Sequence, residues 1–379
     1  MSTRNGSRES LQRVSAMQSI SQFLAAVATG MFNSFILIAF LIPPAVVYFG
    51  WCYPYIVVPP AVSYYFLSYD GAERKDGRPW RFFTQQFWVM RFARAYHDFQ
   101  VHLDPALGPS KMTGDETFVF GLHPHGVLSD YRLLLDGVLA EHFPKLRSWR
   151  TLAASVLFKF PVMRELTLWS HCIDAGRATA QYALDRGHSL FVVVGGEHEQ
   201  ARLSDAGILG EFGKEVLYLK NRMGFVKLAL RNGVPLVPVY VFGGVDTYRT
   251  SSFLRKTRLA VVKNLRIALP LFWGRFGLPI PREVPLRVVF GTPLSFTLSG
   301  SGSKNASSSG EAATVVAATM MADASKNSGE AGAGAASGLW EVSDEDVRTA
   351  HGEYVTALRK LFDDNKARFG YADRELVIF

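Results

Sequence analysis

The chain has 379 residues, 48% of them apolar, and a formal charge of +8 at pH 7. That length holds one large domain with extensions, and the apolar content excludes a wholly disordered protein. Two cysteines, Cys52 and Cys172, supply neither a disulfide framework nor a zinc cluster, which fits a cytosol-facing protein.

Residues 1–30 read as a cytosolic N-terminal segment, and residues 31–68 as a transmembrane or re-entrant hairpin. From Val14 through Tyr69 there is no Asp, Glu, Lys or Arg. Met31–Phe49 and Trp51–Leu67 each approach the ~20 apolar residues that a membrane helix needs. Pro43, Pro44, Pro54, Pro59 and Pro60 interrupt both runs, so a bent hairpin is expected rather than two straight spans. The apolar stretch starts too late and runs too long for a cleavable signal peptide. Arg4, Arg8 and Arg13 precede it, and Arg74, Lys75, Arg78 and Arg81 follow it. Cations on both sides place both ends in the cytosol. Trp80–Tyr96, with Arg81, Arg91 and Arg94, suits either a helix in the headgroup layer, arginines toward phosphates, or an ordinary surface helix.

Residues 69–298 read as an α/β domain. Short apolar runs at Phe118–Phe120, Leu190–Val194, Val234–Phe242 and Leu286–Phe290 alternate with helical patterns such as Ala175–Arg186 and Arg222–Arg231. This order predicts a mostly parallel sheet with flanking helices, whose functional residues gather where strands end.

The first of those strands leads into His123-Pro124-His125-Gly126 and on to Ser129 and Asp130. If a helix starts near Ser129, the Asp130 carboxylate can reach back to the His125 imidazole. A histidine so oriented can take a proton from an alcohol, because its ordinary pKa lies near neutrality. A metal pair or a satisfied surface histidine fits the same residues. The second strand ends at Gly195-Gly196-Glu197-His198-Glu199. Paired glycines allow a tight turn and close approach, as any turn would. A phosphorylated acceptor calls for Arg or Lys, and here two carboxylates stand with no cation before Arg202, which favours an uncharged hydroxyl-bearing acceptor.

Arg222 and Gly224 stand at a helix start, and Gly233 ends that helix before a strand. A helix N-terminus beside Arg222 and Lys227 can seat an anion, and the same residues fit a solvated basic helix. Between Asp246 and Glu283 lie Arg249, Arg255, Lys256, Arg258, Lys263, Arg266, Arg275 and Arg282 without an acid. Cations interleaved with Phe272 and Trp273 point to an anionic membrane surface or a phosphorylated ligand. No nucleic-acid recognition signature accompanies them. Residues 299–338 form a Ser/Gly/Ala-rich flexible insert without enough large apolar side chains to order it. In 339–379 a helix is expected to pack back on the catalytic domain. It has Ser343 as N-cap, Asp346 three residues on, a stripe of Val347, Tyr354, Leu358, Leu361 and Phe362, and Gly370 as C-cap.

Taken together, these features resemble the type 2 diacylglycerol acyltransferases. The resemblance rests on the apolar hairpin, His123-Pro124-His125-Gly126, Gly195-Gly196-Glu197-His198-Glu199, the Arg222–Gly243 block and Arg287-Val288-Val289-Phe290-Gly291-Thr292-Pro293. It implies an integral membrane enzyme of the endoplasmic reticulum, its catalytic domain cytosolic, extending to the lipid-droplet surface. Such an enzyme makes triacylglycerol from acyl-CoA and diacylglycerol. It implies His125 as the essential histidine with His123 beside it, Glu199 as the acid of the G-G-x-x-E pattern, and Arg222, Gly224 and Phe225 in the R-x-G-F signature. Gly126, Gly195 and Gly196 complete the substrate-binding set. Asp98-Phe99-Gln100 departs from the family's Tyr-Phe-Pro, and Asp130 has no regular family counterpart, so Asp130 and Glu199 compete to assist His125. Acyl-CoA is then a co-substrate; no cofactor or metal is called for, since coenzyme A leaves as a thiolate. Monoacylglycerol, a long-chain alcohol and lysophosphatidate are the alternative acceptors. A membrane lipid-binding or scaffold protein is the non-enzymatic alternative. Membrane lipids are the expected partners, and a homo-oligomer is compatible with the sequence.

Overall fold

A computed structural model describes residues 20, 23–27, 30, 42–108, 111–196, 199, 213–251, 253–254, 256–260, 271–296 and 342–379. The 299–338 insert, Glu197 and His198 lie outside the described residues.

Helices α1 (Ile42–Cys52) and α2 (Pro54–Ser68) pack on each other at the N-terminal side. At 1.5 Å per residue α2 reaches only ~22 Å, against ~30 Å of bilayer hydrocarbon. Among the described residues no helix is long and apolar enough to cross a membrane. Pro59 and Pro60 lie within α2, and Tyr53 separates the two helices.

The run at Trp80–Tyr96 divides in two: a π-helical turn at Phe82–Gln86 and α3 (Trp88–Tyr96), broken at Phe87 by an extended ψ of 121°. The break allows Phe83 and Thr84 to be buried. Arg94 turns inward and donates to the carbonyls of Thr84 and Gln85, rather than outward to phosphates. Freed helix-end carbonyls need such donors.

Next come β1 (Gln100–Leu103), β2 (Val119–His123), α4 (Tyr131–Asp136), α5 (Leu139–His142), β3 (Trp149–Ala153), α6 (Met163–Trp169), β4 (Cys172–Asp174), α7 (Arg177–Asp185) and β5 (Ser189–Val193). They are followed by β6 (Lys214–Leu217), α8 (Gly224–Arg231), β7 (Leu236–Phe242), β8 (Arg249–Thr250), β9 (Phe272–Trp273), β10 (Arg287–Phe290), α9 (Asp344–Lys366) and β11 (Glu375–Ile378).

The main sheet has the order β1-β10-β7-β2-β5-β3-β4. Strands β7, β2, β5, β3 and β4 are mutually parallel, while β10 runs antiparallel to β7 and carries β1 parallel to itself. The α/β expectation with a mostly parallel sheet therefore holds. Alternate residues of a strand face opposite ways. On β7, Tyr240 and Phe242 join a core with α7, α8 and α9, while Val237, Val239 and Val241 join another with α3 and α4. Burying both faces explains why β2 and β7 read as continuous apolar runs. Helix α9 opens as its sequence indicates: Ser343 Oγ accepts from Asp346 N–H at 3.0 Å, and the Asp346 carboxylate accepts in return from Ser343 N–H. Val347, Tyr354, Leu358 and Phe362 are buried on its inner face.

Candidate active site

Strands β2 and β5 are parallel neighbours, so the His-Pro-His-Gly turn and the Gly-Gly turn emerge side by side at their C-terminal ends. The two histidines of the first turn part company. His123, the last residue of β2, is fully buried. Its Nε2 lies 2.9 Å from the Tyr354 hydroxyl of α9, which donates in turn to Gly121 O at 3.2 Å. That hydroxyl's one proton is committed to Gly121, so His123 Nε2 is the donor between them. Burial without a charged partner depresses its pKa to about 3, so this ring stays neutral. Gly121 permits the arrangement, because a Cβ there would overlap the Tyr354 hydroxyl.

His125 keeps partial exposure on the turn. The His123–Pro124 peptide is cis, and Tyr131 O–H donates to Pro124 O at 2.7 Å. Gly126 has a φ of +66°, and its α-carbon backs onto the carbonyl of Gly244. The imidazole Nδ1 lies 3.0 Å from Gly126 O, a group that can only accept, so Nδ1 carries the proton. Ser129 confirms the tautomer: its hydroxyl donates to His125 O at 2.6 Å, so the oxygen, 3.2 Å from Nδ1, is free to accept. His125 Nε2 is thereby the nitrogen with a lone pair. Ser129 takes a left-handed φ of 52° to achieve this, a conformation of real cost to a non-glycine residue.

Asp130 caps α4, accepting from Tyr131 N–H at 3.1 Å and from Tyr248 O–H at 3.3 Å. Its residue keeps some surface, yet the carboxyl lies among protein atoms. Desolvation raises its pKa against the opposing pull of the neighbouring His97. The helix thus starts at Tyr131, two residues after Ser129, and the carboxylate faces Tyr248.

Glu199, 2% exposed, reaches the turn from the other side. Its Oε1 accepts His125 N–H at 2.6 Å and its Oε2 accepts Tyr218 N–H at 3.2 Å. Burial raises its pKa to about 7, although both N–H donors and the Arg222 charge favour the ionised form. Gly195 accommodates that carboxylate, because a Cβ there would collide with it, and φ is +108° at Gly195 and +57° at Gly196. Arg222 donates to Gly195 O at 3.3 Å. Gly224 opens α8, and Phe225 is buried edge-on to Tyr354 with ring centroids 5.0 Å apart. Lys227, the other cation of the expected anion seat, pairs with Asp344 at 3.1 Å.

The structure therefore brings His125, Gly126, Gly195, Gly196, Glu199 and Arg222 together at one end of β2 and β5. It sends His123 and Phe225 into the core beneath. Ser129 and the Tyr218 amide belong to the site without having been singled out in the sequence. A hydroxyl four residues after the histidine was the available signal for Ser129. No side-chain signal could mark a backbone N–H.

The family model described as "Diacylglycerol acyltransferase" matches residues 45–308. Diacylglycerol O-acyltransferase 2 of Mus musculus is 27% identical over 97% of this chain and 82% of its own length. Diacylglycerol O-acyltransferase 1 of Eremothecium gossypii is 28% identical over 71% of this chain, which spans 51% of that relative's length. Human 2-acylglycerol O-acyltransferase 3 is 32% identical over 49% of this chain and 57% of its own. No solved structure matches the chain.

Proposed function

The chain belongs to the diacylglycerol acyltransferase family, and we propose that it is an acyl-CoA-dependent O-acyltransferase that esterifies the free hydroxyl of diacylglycerol to give triacylglycerol. The observation that carries the reading is the His125 tautomer: Nδ1 is held as a donor by Gly126 O and Ser129, leaving Nε2 as a base. In this mechanism Nε2 takes the acceptor's hydroxyl proton as the oxygen attacks the thioester carbonyl. The tetrahedral intermediate collapses with breakage of the C–S bond, and the departing thiolate collects the proton from His125. N–H groups of the Gly126 and Gly195-Gly196 turns would receive the developing oxyanion, since His125 N–H is already taken by Glu199. Arg222 would face the phosphates of coenzyme A.

Relatives named as diacylglycerol and 2-acylglycerol acyltransferases support a neutral acceptor over lysophosphatidate. The likeness to a relative named as a 2-acylglycerol acyltransferase keeps monoacylglycerol as the second acceptor to test. Helices α1 and α2 leave Trp51, Tyr55 and Phe66 at least 85% exposed. That much uncovered aromatic surface supports a seat in the bilayer, consistent with the membrane of the endoplasmic reticulum and the lipid-droplet surface. Glu199 orients the turn and Asp130 serves as cap.

The test is transfer of labelled oleoyl groups by membranes from a host without neutral-lipid synthesis. Diacylglycerol, monoacylglycerol, a long-chain alcohol and lysophosphatidate are offered separately, each beside His125→Ala. Labelled triacylglycerol from the wild type alone is the expected result. Wild-type turnover retained by His125→Ala would remove the base, and no product from any acceptor would leave a lipid-binding protein.

A further inference from the structure

Strand β6 has one strand partner in the sheets described, β11, which pairs with it in parallel from Glu375↔Lys214 to Ile378↔Leu217. The contact continues past the strands. Phe379 N–H donates to Leu217 O at 2.8 Å, and Phe379 O accepts from Leu219 N–H at 2.8 Å and Lys220 N–H at 2.7 Å. Tyr218, whose amide holds Glu199, is therefore bracketed on both sides by bonds to one residue. The rings of Tyr218 and Phe379 also stack, with centroids 5.8 Å apart.

A second arm of the same segment reaches the opposite wall of the site. Arg374 sets its two terminal nitrogens on the two oxygens of Asp246, at 2.9 and 3.0 Å, and shares one with Glu215 Oε1 of β6 at 2.9 Å. Such a fork fixes orientation as well as charge. Glu215 is buried, takes a further bond from Tyr240 O–H, and is held in place by it. Asp246 lies in the turn after β7, two residues beyond Gly244, whose carbonyl backs Gly126 and whose α-carbon lies against the Pro124 ring. Thr247 pins the same carbonyl at 3.1 Å.

We infer that the segment Tyr371–Phe379 is a clasp that positions the acyl-transfer site, with Arg374 and Phe379 as its positioning residues: Phe379 sets the Tyr218 amide against Glu199, and Arg374 locks β6 to the turn that supports His-Pro-His-Gly. Neither residue touches the reacting atoms. The inference deepens the acyl-transfer reading, which supplies one of its two readouts.

The consequence is a change in proton affinity at the site, which simple loss of folding would not produce. Glu199 faces the Arg222 cation, the His125 turn, and the phenols of Tyr131 on α4 and Tyr240 on β7, whose own ionisation it opposes. Removing the Tyr218 donor leaves the carboxylate less stabilised, so its proton is held to higher pH.

The experiment compares full-length wild type, Arg374→Lys and Phe379→Ala in membranes, measuring kcat/KM against pH, with Leu184→Ala on α7 as a core-destabilised control. Arg374→Lys keeps the charge and loses the fork. Phe379→Ala loses the stack that seats this residue against Tyr218, and so loosens the backbone bonds on either side of it. The expected result is an acid limb displaced upward by about one pH unit in both, with about a tenfold loss at pH 6.5. Leu184→Ala should lose activity without displacement. A limb left in place in both clasp variants, or moved equally by Leu184→Ala, overturns the inference. If Arg374→Lys does not accumulate, Phe379→Ala decides. Hydrogen exchange of the 218–222 amides, which needs no turnover, should quicken in the clasp variants. Faster exchange with an inactive wild type would retain the clasp and discard the acyl-transfer reading; unchanged exchange would discard the clasp.

Discussion

Replacing Glu199 by glutamine isolates what its charge contributes. The carboxylate receives two backbone donors, His125 N–H at 2.6 Å and Tyr218 N–H at 3.2 Å. Glutamine keeps one oxygen, enough for His125, and turns its NH2 toward the Tyr218 N–H, donor against donor. A bond to a charged group contributes about 1.5–3 kcal/mol, and its replacement by an opposed pair loses at least that. At about 1.4 kcal/mol per tenfold, kcat/KM should fall roughly 10- to 100-fold, through a turn that no longer holds His125 in place. The pH profile is more diagnostic than the loss. Glu199, whose pKa lies at about 7, must lose its proton before the wild type is fully active, and the glutamine has none to lose. The acid limb of log kcat/KM should therefore be steeper in the wild type than in Glu199→Gln. The assay is initial-rate acyl transfer from pH 5 to 8.5 with diacylglycerol in detergent micelles. An equally steep limb in the variant, or wild-type kcat/KM at pH 7.5, would refute the role given to the carboxylate.

Other outcomes follow from the same geometry. Ser129→Ala removes the hydroxyl between His125 O and Nδ1 and should lower kcat about tenfold with KM little changed, whereas Ser129→Gly should fold more readily because it accepts the positive φ; equal rates in wild type and Ser129→Ala would dismiss the residue. Asp130→Asn keeps the helix cap, since asparagine accepts from Tyr131 N–H as well, and should retain activity within about threefold; a loss of a hundredfold or more would restore it as the partner of His125. Glu199 holds its proton more tightly folded than unfolded, at about 7 against 4.5, so its contribution is complete below about pH 4.5 and is lost as pH rises through 7. The thermal midpoint should drop between pH 5 and 8 by an amount worth at most ~3 kcal/mol, and a midpoint that rises over that range would contradict the burial of this group.

The elements carrying the chemistry were legible because local sequence determines them. An apolar run that ends in His-Pro-His-Gly must leave the sheet there, paired glycines must turn, and Ser343 with Asp346 must cap. Helix α8 and strand β7 likewise lie within two residues of their predicted limits. What escaped was decided by distant partners. Strand β6, with Lys214 and Glu215 in four residues, has no strand pattern of its own; it becomes one through pairing with residues near the C-terminal end of the sequence. Strand β3 carries Arg150 and Thr151 among its five residues and β4 has only three, so neither shows an apolar run. The division of labour between His123 and His125 was also closed to the sequence, because it depends on a tyrosine over two hundred residues away.

That division can itself be tested. His123 and Tyr354 form a fully buried pair whose hydroxyl continues to Gly121 O. Tyr354→Phe deletes that oxygen and strands His123 Nε2–H, at a cost of about 1–3 kcal/mol. Gly121→Ala drives a methyl into the same oxygen and should cost a similar amount by overpacking. The two changes share one atom, so they should not add. With the hydroxyl gone the methyl meets chiefly the ring edge, 3.0 Å away, and the double variant should be more stable than the sum predicts by about 1 kcal/mol or more. Denaturant midpoints of the four proteins close the cycle. If the losses add, Tyr354 and Gly121 do not compete for the space this structure gives them, and the placement of His123 in the core falls with it. If they couple while the folded fraction of each variant turns over normally, His123 supports the strand and His125 alone carries the proton.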